Sequence, residues 1–194
     1  AKSNIDGATG FNTDPLYHVT KLAELTMKLN LATSEQEIYD LAADFIPNVI
    51  ETDRSTVTLF EPSSTHFEFI SLHGELGSTR SGNRYPLEGT SIAEVLATKM
   101  AVRKFAKPGN SLGGLKVVMN VPLMSSGDIF GTLNLGRTYA EPFTAEDESL
   151  LSQIAAIFAS HIQNHRQRMA LTSMRDLAEK RARIASCMSE MSQK

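Results

Sequence analysis

The sequence predicts an α/β fold of the α+β kind: a largely antiparallel central sheet of five to six strands, helices packed on one side, and a long C-terminal helix. Three observations predict it. Two capped segments with helical spacing of apolar residues begin after residue 13. Runs rich in Thr, Val and Phe follow, most of them joined by hairpin turns. The last stretch, from Ala145 to near Met191, holds neither glycine nor proline.

Asp14-Pro15 opens the first helix, since proline is tolerated at the first helical position, and Leu16, Val19, Leu22, Ala23, Leu25 and Leu29 form its apolar stripe. Ser34 caps a second helix with Glu37 three residues on, a capping box. Ile38, Leu41, Ala42, Phe45, Ile46 and Val49 recur on one face until Pro47 ends or kinks it. The period then changes to that of strands. Arg54 to Glu61 and His66 to His73 read as a hairpin around the turn Pro62-Ser63-Ser64. Gly77 to Asn83 is a polar loop, and Tyr85-Pro86-Leu87 is a short extended piece. Gly89-Thr90-Ser91 starts a short helix, and Met100 to Phe105 is a further strand. Lys107 to Gly114 is the most flexible internal loop, with three glycines and a proline. Lys116 to Met124 and Asp128 to Arg137 form a hairpin about Ser125-Ser126-Gly127. Thr144 caps the final helix, and Asp147 and Glu148 in its first turn suit the helix dipole.

A chain of 194 residues suits one domain with added helices, long enough to bury a core without disulfides or metal. The net charge of -3 gives no reason to expect nucleic acid as the partner. The charge is uneven: from His165 onward seven Lys or Arg face three acids. The single cysteine, Cys187, excludes an internal disulfide and a cysteine zinc site. It fits a reducing, cytoplasmic setting. No apolar run approaches ~20 residues, so no membrane insertion is expected. Residues 1–13 read as a flexible N-terminal segment, 14–167 as the folded domain and 168–194 as a C-terminal signalling helix or coiled coil.

The segment VVMNVPLMSSGDIFGTLNLGR, followed by FTAEDESLLSQIAAIFASHI, resembles the end of a GAF domain: a strand ending in Pro-Leu, a short turn, Gly-x-Leu in the last strand, then an acidic helix start. YPLEGTSIAEVLATKMAVR is similar to the family's crossover, with Gly89 at its glycine and Thr98 to Val102 at its exit. The resemblance spans roughly Thr33 to Gln167. It implies a regulatory, non-catalytic domain with a small-molecule pocket on one face of the sheet, roofed by Tyr85 to Phe105 and Lys107 to Gly114. It also implies an output domain downstream, such as a cyclase or histidine kinase.

Carried onto this chain, Tyr85, Thr90, Ser91, Phe105, Asn120 and Asn134 are the ligand-binding candidates. Tyr85 either stacks on a planar ligand or merely packs. The N–H groups at Thr90 and Ser91 either bind an anion or belong to a helix cap. Asn120 and Asn134 either read polar edges or face solvent on a sheet with one wet side. Cyclic-nucleotide GAF domains carry Asn-Lys before Phe-x-x-x-Asp-Glu. Here Phe143, Asp147 and Glu148 match the second half, but Gly136-Arg137 replaces Asn-Lys. An Arg137–Asp147 ion pair would then brace the last strand against the long helix. Cyclic-nucleotide binding stands as an alternative, as does a ligand-free dimerisation module.

Sulfoxide reduction of the kind some GAF domains perform needs an attacking and a resolving thiol, which a lone Cys187 cannot supply. For the same reason no covalent bilin is expected; the ligand itself stays unknown. Haem would need an axial ligand, and only His66, placed in a turn, and His73 lie near the sheet. No metal site and no catalytic constellation is read. In the tail, Met174, Leu177, Arg181, Ile184, Met188 and Met191 step by alternating threes and fours, a coiled-coil seam with one polar break. The expected assembly is a parallel homodimer.

Overall fold

A computed structural model describes residues 14–61, 63–74, 79–106 and 113–191, with side chains to Met188. Residues 1–13, Pro62, most of the Lys107–Gly114 loop and the Met191 side chain lie outside the described residues, as does part of the loop after Gly77. The helix α1 spans Pro15–Leu31, and the Asp14 carboxylate accepts the Leu16 N–H at 2.9 Å. Helix α2 spans Glu35–Phe45, capped by Ser34, and passes into a 3-10 turn, Ile46–Asn48, where Pro47 stops it. The carboxylate of Glu37 reaches back to the Thr33 N–H at 2.7 Å, one residue before the cap.

Six strands follow: β1 Arg54–Leu59, β2 His66–His73, β3 Arg84–Pro86, β4 Val102–Phe105, β5 Val117–Ser125 and β6 Asp128–Arg137. Helix α3, Ser91–Thr98, sits between β3 and β4, and α4, Ala145–Met191, closes the chain. The order β3-β2-β1-β6-β5-β4 is antiparallel throughout. The β5–β6 turn places Ser126 and Gly127 at φ 53 and 88, the backbone that a tight hairpin requires. His66 is the first residue of β2 and not part of the turn.

Strand alternation gives the sheet two different faces. Val57, Leu59, Met119, Val121, Leu133 and Leu135 point to one face, where α1, α2 and α4 cover them with Leu25, Leu29, Ile38, Leu151, Ile154, Phe158 and Ile162. Only half of the α1 stripe is used: Leu25 and Leu29 are buried, while Leu16 and Val19 stay exposed. The other face carries Thr56, Thr58, Asn120, Thr132 and Asn134, and α3 lies over it with a second cluster of Phe60, Phe67, Phe69, Leu87 and Ile92.

Candidate functional site

The polar face of the sheet and α3 enclose a cavity of about 290 Å³. Gly89, at φ 76, turns the chain over the sheet and delivers Thr90 to the N-cap of α3. The Thr90 hydroxyl accepts the Ala93 N–H at 3.2 Å and donates to the Leu87 carbonyl at 2.6 Å. Thr90 is therefore engaged as a cap, while Ser91 begins the helix beside it. Tyr85 leans on Phe67 and Phe69, with ring centroids 6.0 Å away in each case, and its hydroxyl accepts the Arg80 N–H at 2.8 Å. These three rings make an aromatic wall. Phe105, on β4, stands exposed at the rim.

The floor is polar and buried. Asn120 and Asn134 are directly opposed on β5 and β6. The Asn120 Nδ2 donates to Asn134 Oδ1 at 2.7 Å, and the Asn134 Nδ2 donates to Thr56 Oγ1 at 3.2 Å. Thr132 Oγ1 joins the network at 2.7 Å from Asn134 Oδ1 and 2.6 Å from Thr58 Oγ1. Neither asparagine faces solvent. Arg54 is also buried at the floor, at the register position opposite Gly136. All six ligand-binding candidates thus border one cavity. The sequence reading missed Arg54, Thr56, Thr58, Phe67 and Phe69. The signal was present in β1, where Arg54, Thr56 and Thr58 alternate with Ser55, Val57 and Leu59: a strand polar on one side, with every residue buried, marks a face that meets something other than water.

Arg137, Phe143, Asp147 and Glu148 do not line the cavity; they gather where β6 meets α4. Arg137, nearly fully buried, donates from Nε to the Glu51 carbonyl at 2.9 Å and from Nη1 to the carbonyls of Glu141 and Pro142, each at 3.3 Å. Its Nη2 lies 3.5 Å from Asp147 Oδ2, and its guanidinium stacks over Phe143 at 4.1 Å. The Asp147 carboxylate accepts the Thr144 N–H at 2.9 Å, while the Thr144 hydroxyl accepts the Asp147 N–H at 3.0 Å, a reciprocal cap. Glu148 pairs with Arg103 of β4. Nearby, Tyr139 is pushed up to about 12 by burial and by its hydrogen bond to Glu51.

A second anchor was not foreseen. Arg166 of α4 forms a two-pronged pair with Glu35 at the start of α2, at 2.9 and 2.6 Å, and Tyr39 donates to the same carboxylate. Burial pushes the Glu35 carboxyl up, but the hydrogen bonds from Arg166 and Tyr39 outweigh it and hold the group below its ordinary value. Burial and the Glu35 hydrogen bond push the Tyr39 hydroxyl well up. From Gln167 to Met188 every side chain of α4 is exposed. The seam residues Met174, Leu177, Ile184 and Met188 lie there with half or more of their surface in water. Cys187 is exposed on the same stretch. Among the described residues no group of metal-ligating side chains is present, and no helix is long and apolar enough to cross a membrane.

The GAF domain family model matches residues 34–162. Among solved structures, the GAF domain of a phosphoenolpyruvate-protein phosphotransferase from Coxiella burnetii is similar, with 15% identity and a TM-score of 0.70 over 81% of this chain and 99% of that one. A free methionine-R-sulfoxide reductase from Neisseria meningitidis, in complex with its substrate, aligns with 18% identity and a TM-score of 0.68 over 83% and 98%. The GAF domain of a two-component sensor histidine kinase from Bacillus halodurans gives 18% identity and a TM-score of 0.61 over 71% and 99%. At these identities the likeness is one of fold. Comparison with curated protein sequences gives no match.

Proposed function

The chain belongs to the GAF domain family, and on that premise we propose that it is a regulatory domain that senses a small molecule. The ligand sits between the sheet and α3, and its arrival is passed along α4 of a parallel homodimer to an output domain. The observation that carries the reading is the cavity itself: about 290 Å³ of space over a buried polar floor, beside an aromatic wall. The strand that floors it, β6, runs through Arg137 into the base of α4. Beyond Arg166 the described apolar residues of that helix are exposed, and exposed apolar stripes of this kind mark interaction surfaces.

No catalytic turnover is proposed. Cys187, on the exposed part of α4, is not among the groups that border the cavity. Cyclic nucleotides fit less well, because the Arg137 donors are directed at three backbone carbonyls and Asp147, away from the cavity. Native mass spectrometry of the purified chain tests the reading, with a retained non-covalent molecule as the expected result. Sedimentation should give a dimer that weakens when the residues after Gln167 are removed. A dimeric chain that carries no small molecule and binds none from a metabolite library would leave only the ligand-free dimerisation reading. A clear rise in melting temperature with cyclic AMP or cyclic GMP would favour the cyclic-nucleotide reading.

A further inference from the structure

The hydrogen-bond network in the cavity floor has its protons in a fixed order, and that order leaves donors at the cavity. Asn134 Nδ2 lies 3.2 Å from Thr56 Oγ1 and 3.4 and 3.5 Å from the carbonyls of Thr56 and Thr132. Only the nitrogen end of an amide can face two carbonyls, so the Thr56 hydroxyl accepts there and keeps its own hydrogen. Asn134 Oδ1 in turn accepts from Asn120 Nδ2 and Thr132 Oγ1, at 2.7 Å each. The single hydroxyl proton of Thr132 is spent in that bond. At the 2.6 Å Thr58–Thr132 contact the donor must therefore be Thr58.

The side-chain acceptors of this network are closed to a ligand. Asn134 Oδ1 already holds two donors, Thr58 and Thr132 have no exposed surface, and Asn120 Oδ1 is enclosed by protein. The Thr56 hydroxyl hydrogen is taken up by no bond of the network, and Thr56 borders the cavity. Arg54 stands two residues before it on β1, and so on the same face. It is buried, with 6% of its surface exposed, and borders the cavity too. Arg54 has a further interaction within the protein, but a fork of five N–H donors serves more than one acceptor. Its charge is permanent, and each anionic oxygen brought to it recovers part of the cost of burying that charge. The other charged residues on the border, Glu88 and Lys104, are exposed, and Lys104 is paired with Glu94. Water screens both, so the buried charge at the cavity, among the described residues, is positive.

We infer that the ligand is a small planar carboxylate, an acid group on a flat apolar body, whose carboxylate is held by Arg54 and the Thr56 hydroxyl. The flat body lies along the wall of Phe67, Phe69 and Tyr85. The inference rests on the small-molecule reading proposed above and names the class. The two oxygens of a carboxylate are acceptors only, which is what a guanidinium and a neighbouring hydroxyl hydrogen call for. A neutral amide in the same place offers one uncharged oxygen and turns an N–H against donors, and charge-assisted bonds are roughly twice as strong as neutral ones. At about 290 Å³ the cavity lies at the small end of ligand pockets, so the acid is a compact one.

The probes are benzoate and benzamide, which share a ring and differ as carboxylate against amide. Their binding to the full chain is measured by calorimetry and by ligand-observed NMR. Benzoate is expected to bind at least tenfold more tightly than benzamide, and Arg54→Met, which keeps much of the side-chain length without the charge, is expected to abolish the difference. Equal or tighter binding of benzamide, or a preference unchanged in Arg54→Met, overturns the carboxylate assignment and leaves the pocket reading intact. If neither probe binds, the assignment is overturned, and the native mass spectrum decides whether the pocket reading falls with it. A molecule retained through purification is expected to be an acid, and a neutral or cationic one overturns the class while upholding the pocket. Because Arg54 is buried, the variant is first checked by its melting curve. If it does not fold, the ratio of the two probes on the unaltered chain decides alone.

Discussion

Arg137 is held chiefly by backbone carbonyls and only secondarily by its ion pair, and two substitutions separate these contributions. Arg137→Met keeps most of the side-chain volume over Phe143 but removes every donor. The short bond to the Glu51 carbonyl is charge-assisted and buried, and the two bonds to Glu141 and Pro142 are long and share one nitrogen. Charge-assisted hydrogen bonds contribute about 1.5–3 kcal/mol each and do not add fully, so a loss of about 3 kcal/mol is expected. Asp147→Ala leaves all three carbonyl bonds in place. It removes a 3.5 Å ion pair to a partly exposed carboxylate and one N–H bond in the first turn of α4, for about 1 kcal/mol. Urea unfolding followed by circular dichroism, at one fixed protein concentration because a dimer's stability depends on it, measures both. Equal costs for the two variants, or an Arg137→Met cost below that of Asp147→Ala, would refute the assignment of Arg137 to the carbonyls.

Three further outcomes are expected. Glu35 is held below its ordinary carboxyl value, so its pair with Arg166 contributes stability that is fully present above that ordinary value and lost as pH falls through the lower folded one. Between about pH 5 and pH 3 the unaltered chain should therefore lose more stability than Glu35→Gln does, and parallel unfolding curves for the two would remove Glu35 from the acid response. At Gly131 an added Cβ would stand 2.4 Å from the Thr58 carbonyl oxygen, which is backbone and cannot step aside; Gly131→Ala should cost about 2 kcal/mol through overpacking, and a neutral result in the same urea assay would show that β1 and β6 yield there. Parallel pairing through Met174, Leu177, Ile184 and Met188 places the two Cys187 thiols on neighbouring helices at the same height, so a short bis-maleimide should link the chains on a denaturing gel and fail to do so in Cys187→Ser.

The fold was legible wherever turn chemistry and breakers punctuate the chain. Ser126 and Gly127 supply the left-handed backbone of the β5–β6 turn, and the bounds of β6 followed from it. The absence of glycine and proline after Thr144 gave the length of α4. The α1 stripe was read too broadly, because Leu16 and Val19 share its period with Leu25 and Leu29 yet stay exposed among the described residues. The cavity candidates came from the family resemblance, but the chemistry of the floor did not come from the sequence. It depends on register: Asn120 faces Asn134 across the β5–β6 pair, and Thr58 faces Thr132 across β1–β6. Period-two alternation shows which residues share a face and leaves open which of them touch. The Glu35–Arg166 pair joins residues 131 positions apart, a closeness that only the packed α2–α4 contact creates.

The two anchors of α4 bear on how a ligand in the cavity would be felt outside it. Strand β6 alternates between the two faces, with Asn134 and Gly136 bordering the cavity and Leu133 and Leu135 packed under the helices. Its last residue, Arg137, holds the loop before α4 and the first turn of the helix together. One pitch further along the buried stripe of Leu151, Ile154, Phe158 and Ile162, Arg166 pins the helix again to α2 through Glu35. Between these points α4 is clamped to the sheet, and beyond Arg166 its described side chains are exposed. Packed cores shift between discrete arrangements and do not bend continuously. In the proposed mechanism a ligand seated over the floor changes the load on Asn134, and the shortest path from there to the exposed seam is three residues of β6, the Arg137 cluster and the clamped length of the helix. Weakening either anchor should therefore alter signal transfer and, because coupling is reciprocal, shift ligand affinity by no more than the coupling free energy, whereas a change at the floor removes ligand contacts outright.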